Sequence, residues 1–459
     1  MHLKSMQILV LGYVCIIIVG ACILLLPGMH TTPITFLEAL FTSASAFTCT
    51  GLIIKDTAVD FTILGQSVII VLIWFGGFGY MSLLGIVYVL LRRRLSHMEL
   101  NMIKGALNHP SVDGMTHFLK KILVFVLILE GVGALVLFIY FYYCKDFDVG
   151  KAAFAGIFHA ISALNNAGFS IFSTNLMDYR QSLVVNFVIC SLVICGSLGY
   201  IVLVELHAFT HSYFSNFVRA CIHKCDMVKI RLSLHTRIVA TYTIGLLLIG
   251  FCFVLLLEYN NAKTLGSFTF FDKALSSFFI SVNYRTSGFN TIDLSGLKDS
   301  TLFFSSLLML VGGAPGGSAG GIKVTTLAVL LAFCIALFND AKPALFKRAI
   351  SESSIKKAIV VAIIALFSIV ITSFCIAIFQ EDTRFMLIMF EVCSAFATVG
   401  VSTGNGGTLS LSANFNFFSQ LCIIALMIMG KVGILAFWLI CVGKRKQSHI
   451  ALQEENVTI

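Results

Sequence analysis

Four stretches of this 459-residue chain share one frame, and their residue types point to backbone chemistry rather than side-chain chemistry. The first is Phe41–Gly51 (FTSASAFTCTG). Phe158–Gly168 (FHAISALNNAG), Phe278–Gly288 (FFISVNYRTSG) and Phe390–Gly400 (FEVCSAFATVG) align with it on the glycine, each with Phe ten residues earlier. Ser45, Ser162 and Ser394 hold the sixth place before the glycine, with Val282 the exception. Directly before the glycines stand Thr48, Cys49 and Thr50; Asn165, Asn166 and Ala167; Thr286 and Ser287; and Ala397, Thr398 and Val399. A glycine adopts backbone angles that aim a carbonyl at an axis with no side chain in the way. Four such stretches around one axis make a ring of oxygens that replaces the water around a cation, and potassium, whose dehydration cost is moderate, suits that ring.

The elements that would position such a ring must lie in a membrane. Hydrophobic residues make up 58% of the chain, charged residues 12%, and the mean hydropathy is +0.97, beyond what a soluble domain of this size carries. Apolar stretches recur in the order long, short, long: Met6–Leu26, Thr35–Phe47 and Phe61–Leu91; Phe118–Tyr143, Ala152–Leu164 and Leu183–Phe209; Ile238–Leu257, Phe271–Tyr284 and Leu302–Phe338; Ala358–Phe379, Phe385–Ala397 and Phe415–Val442. Each short member, at ~1.5 Å per residue, spans ~20 Å and cannot cross ~30 Å of hydrocarbon, so it enters and leaves on one side. Two crossings plus one re-entrant segment return the chain to its starting face, which predicts parallel repeats. The glycine spacings agree, at 117, 120 and 112 residues (51 to 168, 168 to 288, 288 to 400). The expected units are 1–95, 96–215, 216–340 and 341–459. Met6–Leu26 is too long for the apolar part of a leader and is kept as a helix.

Charge sets the orientation. Arg92–Arg94, Lys104, Lys120 and Lys121; Arg219, Lys224, Lys229, Arg231 and Arg237; Lys342, Lys347, Arg348, Lys356 and Lys357; and Lys444–Lys446 all fall between units or in the tail. That face, with both termini, is expected to be cytoplasmic, and the re-entrant segments extracellular. The net charge of +9 therefore reports topology in a lipid bilayer and does not call for nucleic acid. Most of the 14 cysteines lie in apolar runs as small hydrophobes. Cys221, His223 and Cys225 form one weak ligand-like cluster on a basic loop, read as that loop rather than a zinc site.

Leu302–Phe338 is far longer than one crossing and must break at Gly312-Gly313-Ala314-Pro315-Gly316-Gly317-Ser318-Ala319-Gly320-Gly321, a composition no helix tolerates. A flexible loop at mid-membrane is a candidate gate. It lacks the phosphate-loop spacing. Lys323 closes it, and Lys431 lies within another span, where an ammonium either faces the ion path as an electrostatic barrier or snorkels toward the cytoplasm. Glu130 and Glu205 read as bonders between helices, with a proton relay as the other reading. Arg285 is expected to brace the third pore loop from behind, and His159 to pack. A coupled transporter of organic solutes would show inverted repeats and paired broken helices; here one broken span is expected. The chain has no nucleophile–base pair of an enzyme.

The segments FTCTGL, NNAGF, RTSGF and ATVGVSTG, with GGAPGGSAGGIK in the third unit, resemble the Trk/Ktr/HKT superfamily of potassium transporters, and within it the KtrB-type membrane subunits of bacterial Ktr systems. The resemblance covers nearly the whole chain. It implies an all-α membrane protein of four M1-P-M2 units (eight transmembrane helices, four re-entrant pore loops) with pseudo-fourfold symmetry, around a single selectivity filter with Gly51, Gly168, Gly288 and Gly400 in its quarters. It implies K+ bound at the filter carbonyls, an intramembrane gating loop at 312–321, and a sodium dependence that no single residue here accounts for. It also implies a homodimer seated on a cytosolic ring of nucleotide-binding KtrA-type RCK subunits, and no organic cofactor in this chain. Some sodium-conducting plant relatives carry Ser where this chain has Gly51. The family usually has Arg where this chain has Lys431.

Overall fold

The computed structural model describes residues 3–79, 115–223, 232–404, 408–434 and 437–438. The basic runs Arg92–Arg94 and Lys444–Lys446, and Cys225 of the ligand-like cluster, lie outside these residues. The described chain is helical except for one short hairpin. Its elements are α1 (Leu3–Leu24), α2 (Phe36–Thr48), α3 (Ile63–Phe78), α4 (Met115–Lys145), α5 (Val149–Leu164), α6 (Leu183–Leu198), α7 (Tyr200–His223), α8 (Leu234–Glu258), α9 (Phe270–Asn283), α10 (Asp299–Leu310) and α11 (Val324–Phe338). The antiparallel strands β1 (Ala344–Leu345) and β2 (Arg348–Ala349) follow, then α12 (Glu352–Phe379), α13 (Phe385–Phe396) and α14 (Phe417–Val432).

Among the described residues α4, α8 and α12 are long and apolar enough to cross a membrane unaided, and α6 with α7 only as a pair bent by 108°. Helices α2, α5, α9 and α13 have 13, 16, 14 and 12 residues. At ~1.5 Å per residue they are ~18–24 Å long, short of a crossing. The starts of α2, α5 and α9 are set by side chains that satisfy free N–H groups: Thr35, Asp148 and Thr269 accept from the N–H groups of Glu38, Gly150 and Asp272. Glu38 reciprocates to the Thr35 N–H at 2.7 Å and pairs with Lys55 at 3.3 Å. Partial burial works to raise its pKa, but those Thr35 bonds and the Lys55 charge outweigh it and hold the carboxyl below its ordinary range.

The expectation of one broken span is corrected. Beyond the break at Val311, α6 gives way to α7 at Gly199 (φ 84°), α3 ends at Gly79 (φ 73°) and α14 at Gly433 (φ 105°). Each glycine takes a backbone conformation that no helix continues through. Each of the three stands three residues after another glycine (Gly76, Gly196 and Gly430) in an apolar run where glycine is common, so these helix ends did not stand out in the sequence as the cluster at 312–321 did.

Glycines also let the elements approach. A Cβ on Gly76, Gly196 or Gly430 would strike the carbonyl of Phe47, Leu164 or Phe396, at the end of the neighbouring short helix. At the other end of α8, buried Glu258 accepts from Thr264 Oγ1 (2.7 Å), Asn261 Nδ2 (2.6 Å), Thr301 Oγ1 and the Lys298 N–H (3.1 Å). Glu258→Ala would strand four donors, each worth ~1–3 kcal/mol when left unsatisfied. A clear fall in the thermal midpoint of the detergent-solubilised protein is expected, with Glu258→Gln restoring part of it.

Candidate functional site

Three of the four short helices end alike. Cys49 N–H donates to the Ala46 carbonyl (3.1 Å) and Thr50 N–H to Ser45 (2.8 Å); Asn166 and Ala167 repeat this with Ala163 (3.1 Å) and Ser162 (2.8 Å), and Thr398 and Val399 with Ala395 (3.1 Å) and Ser394 (2.8 Å). This closure turns the chain back over the last helical turn through one left-handed residue. That residue is Cys49 (φ 53°), Asn166 (55°) or Thr398 (52°). In the third segment Thr286 (φ 73°) takes the place, and Ser287 N–H reaches the Asn283 carbonyl at 3.0 Å instead. Two residues beyond, each glycine is again at positive φ: Gly51 97°, Gly168 69°, Gly288 80° and Gly400 82°. The N–H groups are thereby folded onto the helix, while the carbonyls of Thr50, Ala167, Ser287 and Val399 take no part in the closures.

The four segments meet at one point. A Cβ on Gly51 would lie 2.6 Å from the Ala167 carbonyl and 3.3 Å from Gly168 Cα; on Gly168 it would meet Gly288 Cα and, at 2.7 Å, the Ser287 carbonyl. On Gly288 it would lie 2.8 Å from Gly168 Cα, 3.1 Å from the Val399 carbonyl and 3.3 Å from that of Thr50; on Gly400 it would strike the Thr50 carbonyl, with Gly51 Cα at 2.8 Å. No side chain fits anywhere in this cycle. A partly open pocket lies beside it, lined by Gly51, Gly288 and Gly400 together with Asn175, Asn290 and Ser402.

Side chains hold the segments from behind. Ser45 Oγ accepts from Gly51 N–H (3.1 Å) and Ser162 Oγ donates to the Phe169 carbonyl (2.8 Å). Val282 cannot do this, and the next residue, Asn283, donates to the Phe289 carbonyl in its stead. His159 packs, as expected, and also bonds Ser170 Oγ through Nε2 at 2.9 Å. Glu391 accepts from Ser412 N–H (3.0 Å) and Oγ (2.6 Å). Glu130 joins three helices, accepting from Asn165 Nδ2 (2.9 Å) and Trp74 Nε1 (3.3 Å). Glu205 accepts from Ser233 and Thr236 at the start of α8. Both acids are thus bonders between helices.

The glycine loop lies against this cluster and is closed. Its neck is a bridge between Val311 and Ile322, and Val324 N–H donates to the Gly313 carbonyl (3.1 Å). Ala314 N–H reaches Ser197 (2.8 Å), Ser318 N–H reaches Gly196 (3.3 Å), and Tyr200 N–H donates to Gly316 (3.2 Å), so the loop docks on the α6–α7 bend. Gly317 fits there because a Cβ would meet the Gly196 carbonyl at 2.9 Å. Gly320 N–H donates to Thr398 Oγ1 (3.0 Å), and Gly321 packs on Ala397. Gly312 abuts the Gly320 carbonyl. Lys323 Nζ donates to the Ala319 carbonyl and Lys431 Nζ to that of Ser318, each at 2.6 Å. Lys431 therefore turns toward the loop, not along its helix to the tail. No group of three or more His, Cys, Asp or Glu side chains comes together among the described residues.

Long apolar helices, others too short to span with left-handed turns at their ends, and a glycine cluster between them mark a helical protein of the membrane class. The sequence profile of TrkH, described as a cation transport protein, matches residues 6–450. The chain is 36% identical over 452 residues to Ktr system potassium uptake protein B of Bacillus subtilis, covering 98% of this chain and 96% of that one. It is 30% identical over 466 residues to the potassium/sodium uptake protein NtpJ of Enterococcus hirae, covering 100% and 98%. The crystal structure of the potassium transporter TrkH from Vibrio parahaemolyticus superposes with a TM-score of 0.70 at 16% identity, covering 96% of this chain and 85% of that one, and so shares the fold. The chain belongs to the TrkH family of cation transport proteins, a family of transporters rather than enzymes.

Proposed function

We propose that the chain carries potassium into the cell by channel-like permeation through the four-glycine cluster, its selectivity filter. The observation that carries this reading is the meeting of Gly51, Gly168, Gly288 and Gly400 with the carbonyls of Thr50, Ala167, Ser287 and Val399 packed between them. The short helices aim their C-terminal, negative dipole ends at the same place, which favours a cation. Units 1–95, 96–215, 216–340 and 341–459 are then four M1-P-M2 repeats around one pore, with pore loops extracellular and termini cytoplasmic. The membrane potential drives the ion inward with ~2.3 kcal/mol per charge per 100 mV. The names of the Bacillus and Enterococcus relatives support potassium, and the second brings sodium into the reading.

The loop from Gly312 to Gly321 is the gate, and Lys323 and Lys431 place positive charge beside it. Lys431→Met removes both the charge and the bond to the Ser318 carbonyl. Potassium flux through the purified, reconstituted variant is expected to rise several-fold; wild-type flux would remove Lys431 from the gate. The Ktr system name supports a second subunit, read here as a cytosolic RCK ring under a homodimer of this chain. The test is complementation of a potassium-uptake-deficient bacterium at limiting potassium, with and without that subunit. Growth is expected with both, and failure of the pair to restore growth would overturn the reading.

A further inference from the structure

Arg285 stands three residues before Gly288, between α9 and the glycine cluster. It is buried, 4% exposed, and its Nη1 donates to the Val311 carbonyl at 2.7 Å. Val311 is where α10 stops, in an extended conformation, and the glycine loop begins. It is bridged to Ile322 at the loop's far end, where Gly312 N–H meets the Ile322 carbonyl (2.8 Å) and Ile322 N–H that of Leu310 (3.1 Å). Arg285 thus holds the neck of the loop, where one displacement moves both of its ends. The final carbonyls of a helix have no partner within it, and a buried guanidinium needs an acceptor, so each group satisfies the other. Nε and Nη2 meet no partner among the described residues, which leaves the Val311 carbonyl as the bond that fixes the side chain.

Among the described residues no other segment bonds Val311 at the neck; the fourth segment meets the far arm of the loop instead, where Thr398 Oγ1 accepts from Gly320 N–H (3.0 Å). At the same place Thr48 bonds back to the Ala44 carbonyl (2.7 Å), Asn165 bonds Glu130 (2.9 Å), and Ala397 touches the loop only by van der Waals contact. The residue after Arg285 is Thr286, a β-branched residue held at φ 73° in the one closure that departs from the common pattern. Such a conformation persists only while its surroundings enforce it.

We infer that Arg285 is a positioning residue that couples the third filter segment to the glycine loop. The loop's neck cannot shift without releasing Thr286 and Gly288, and ion occupancy at that quarter in turn biases the loop. This rests on the filter-and-gate reading above. The experiment measures rubidium tracer flux into proteoliposomes of the purified full chain, for Arg285→Gln and Arg285→Lys, each alone and combined with deletion of residues 316–320. Arg285→Gln is expected to raise flux about tenfold while the loop is intact, the scale of one lost charge-assisted hydrogen bond. Arg285→Lys, which keeps a charged donor, is expected to give a smaller rise. Neither should add anything once the loop is deleted, because the two changes act through one element. Equal effects in both backgrounds, or wild-type flux for both variants with the loop intact, would overturn the coupling. If deletion of the loop alone leaves flux unchanged, the gate reading falls and the coupling with it. Should Arg285→Gln fail to assemble, the comparison of Arg285→Lys across the two backgrounds decides alone.

Discussion

Gly288→Ala is expected to lower potassium uptake by about 100-fold or more while the protein still assembles. Two effects combine. Alanine at φ 80° is strained by ~1–3 kcal/mol. Its Cβ would also stand 2.8 Å from Gly168 Cα and 3.1 Å from the Val399 carbonyl, both backbone atoms with no rotamer to yield. Overpacking of this kind typically adds ~1–3 kcal/mol, and ~2.7 kcal/mol is already a factor of about 100. Gly79→Ala separates strain from position. It carries similar strain (φ 73°), but among the described residues its Cβ would meet only Tyr13 Oη, at 3.8 Å. Gly79→Ala is expected to retain most of its uptake. Growth at limiting potassium, with membrane abundance measured in parallel, checks both, and near-normal uptake by Gly288→Ala would remove the cluster from the ion path.

The second large effect is an increase. Deleting Gly316–Gly320 removes the Gly316 carbonyl that accepts from Tyr200, the Ser318 bonds to Gly196 and Lys431, and the Gly320 bond to Thr398. At a net ~0.5–1.5 kcal/mol each, these bonds together hold the loop closed by a few kcal/mol. Flux in proteoliposomes is expected to rise more than about tenfold, as each ~1.4 kcal/mol shifts an equilibrium tenfold. Unchanged flux through properly assembled protein would mean that the loop packs without gating.

The common frame of the four segments was legible because Phe and Gly recur at fixed distance, and the short helices because their apolar runs are too brief to cross. The backbone behind that frame was not. Closures of this kind usually place Gly or Asn at the left-handed position. Only Asn166 obeys, while Cys49, Thr286 and Thr398 are held there by the surrounding packing. The Val282 exception looked like a loss, and the structure shows the task passed one residue on, to Asn283. The glycine-rich stretch at 312–321 announced itself by composition, yet its partners did not. Ser318 and Lys431 are 113 residues apart, and no local pattern joins them. Gly79, Gly199 and Gly433, each three residues after another glycine, look like ordinary membrane-helix residues until their φ values are seen.

Selection of the ion by a ring of backbone oxygens from the four segments, as proposed above, is open to direct measurement as flux through the purified, reconstituted chain under a negative-inside potential. Saturable uptake of potassium is expected, which rubidium competes for, sodium competes for far less, and organic solutes not at all. Uptake of an organic solute coupled to protons, or equal passage of potassium and sodium that the Gly288→Ala change leaves untouched, would contradict it.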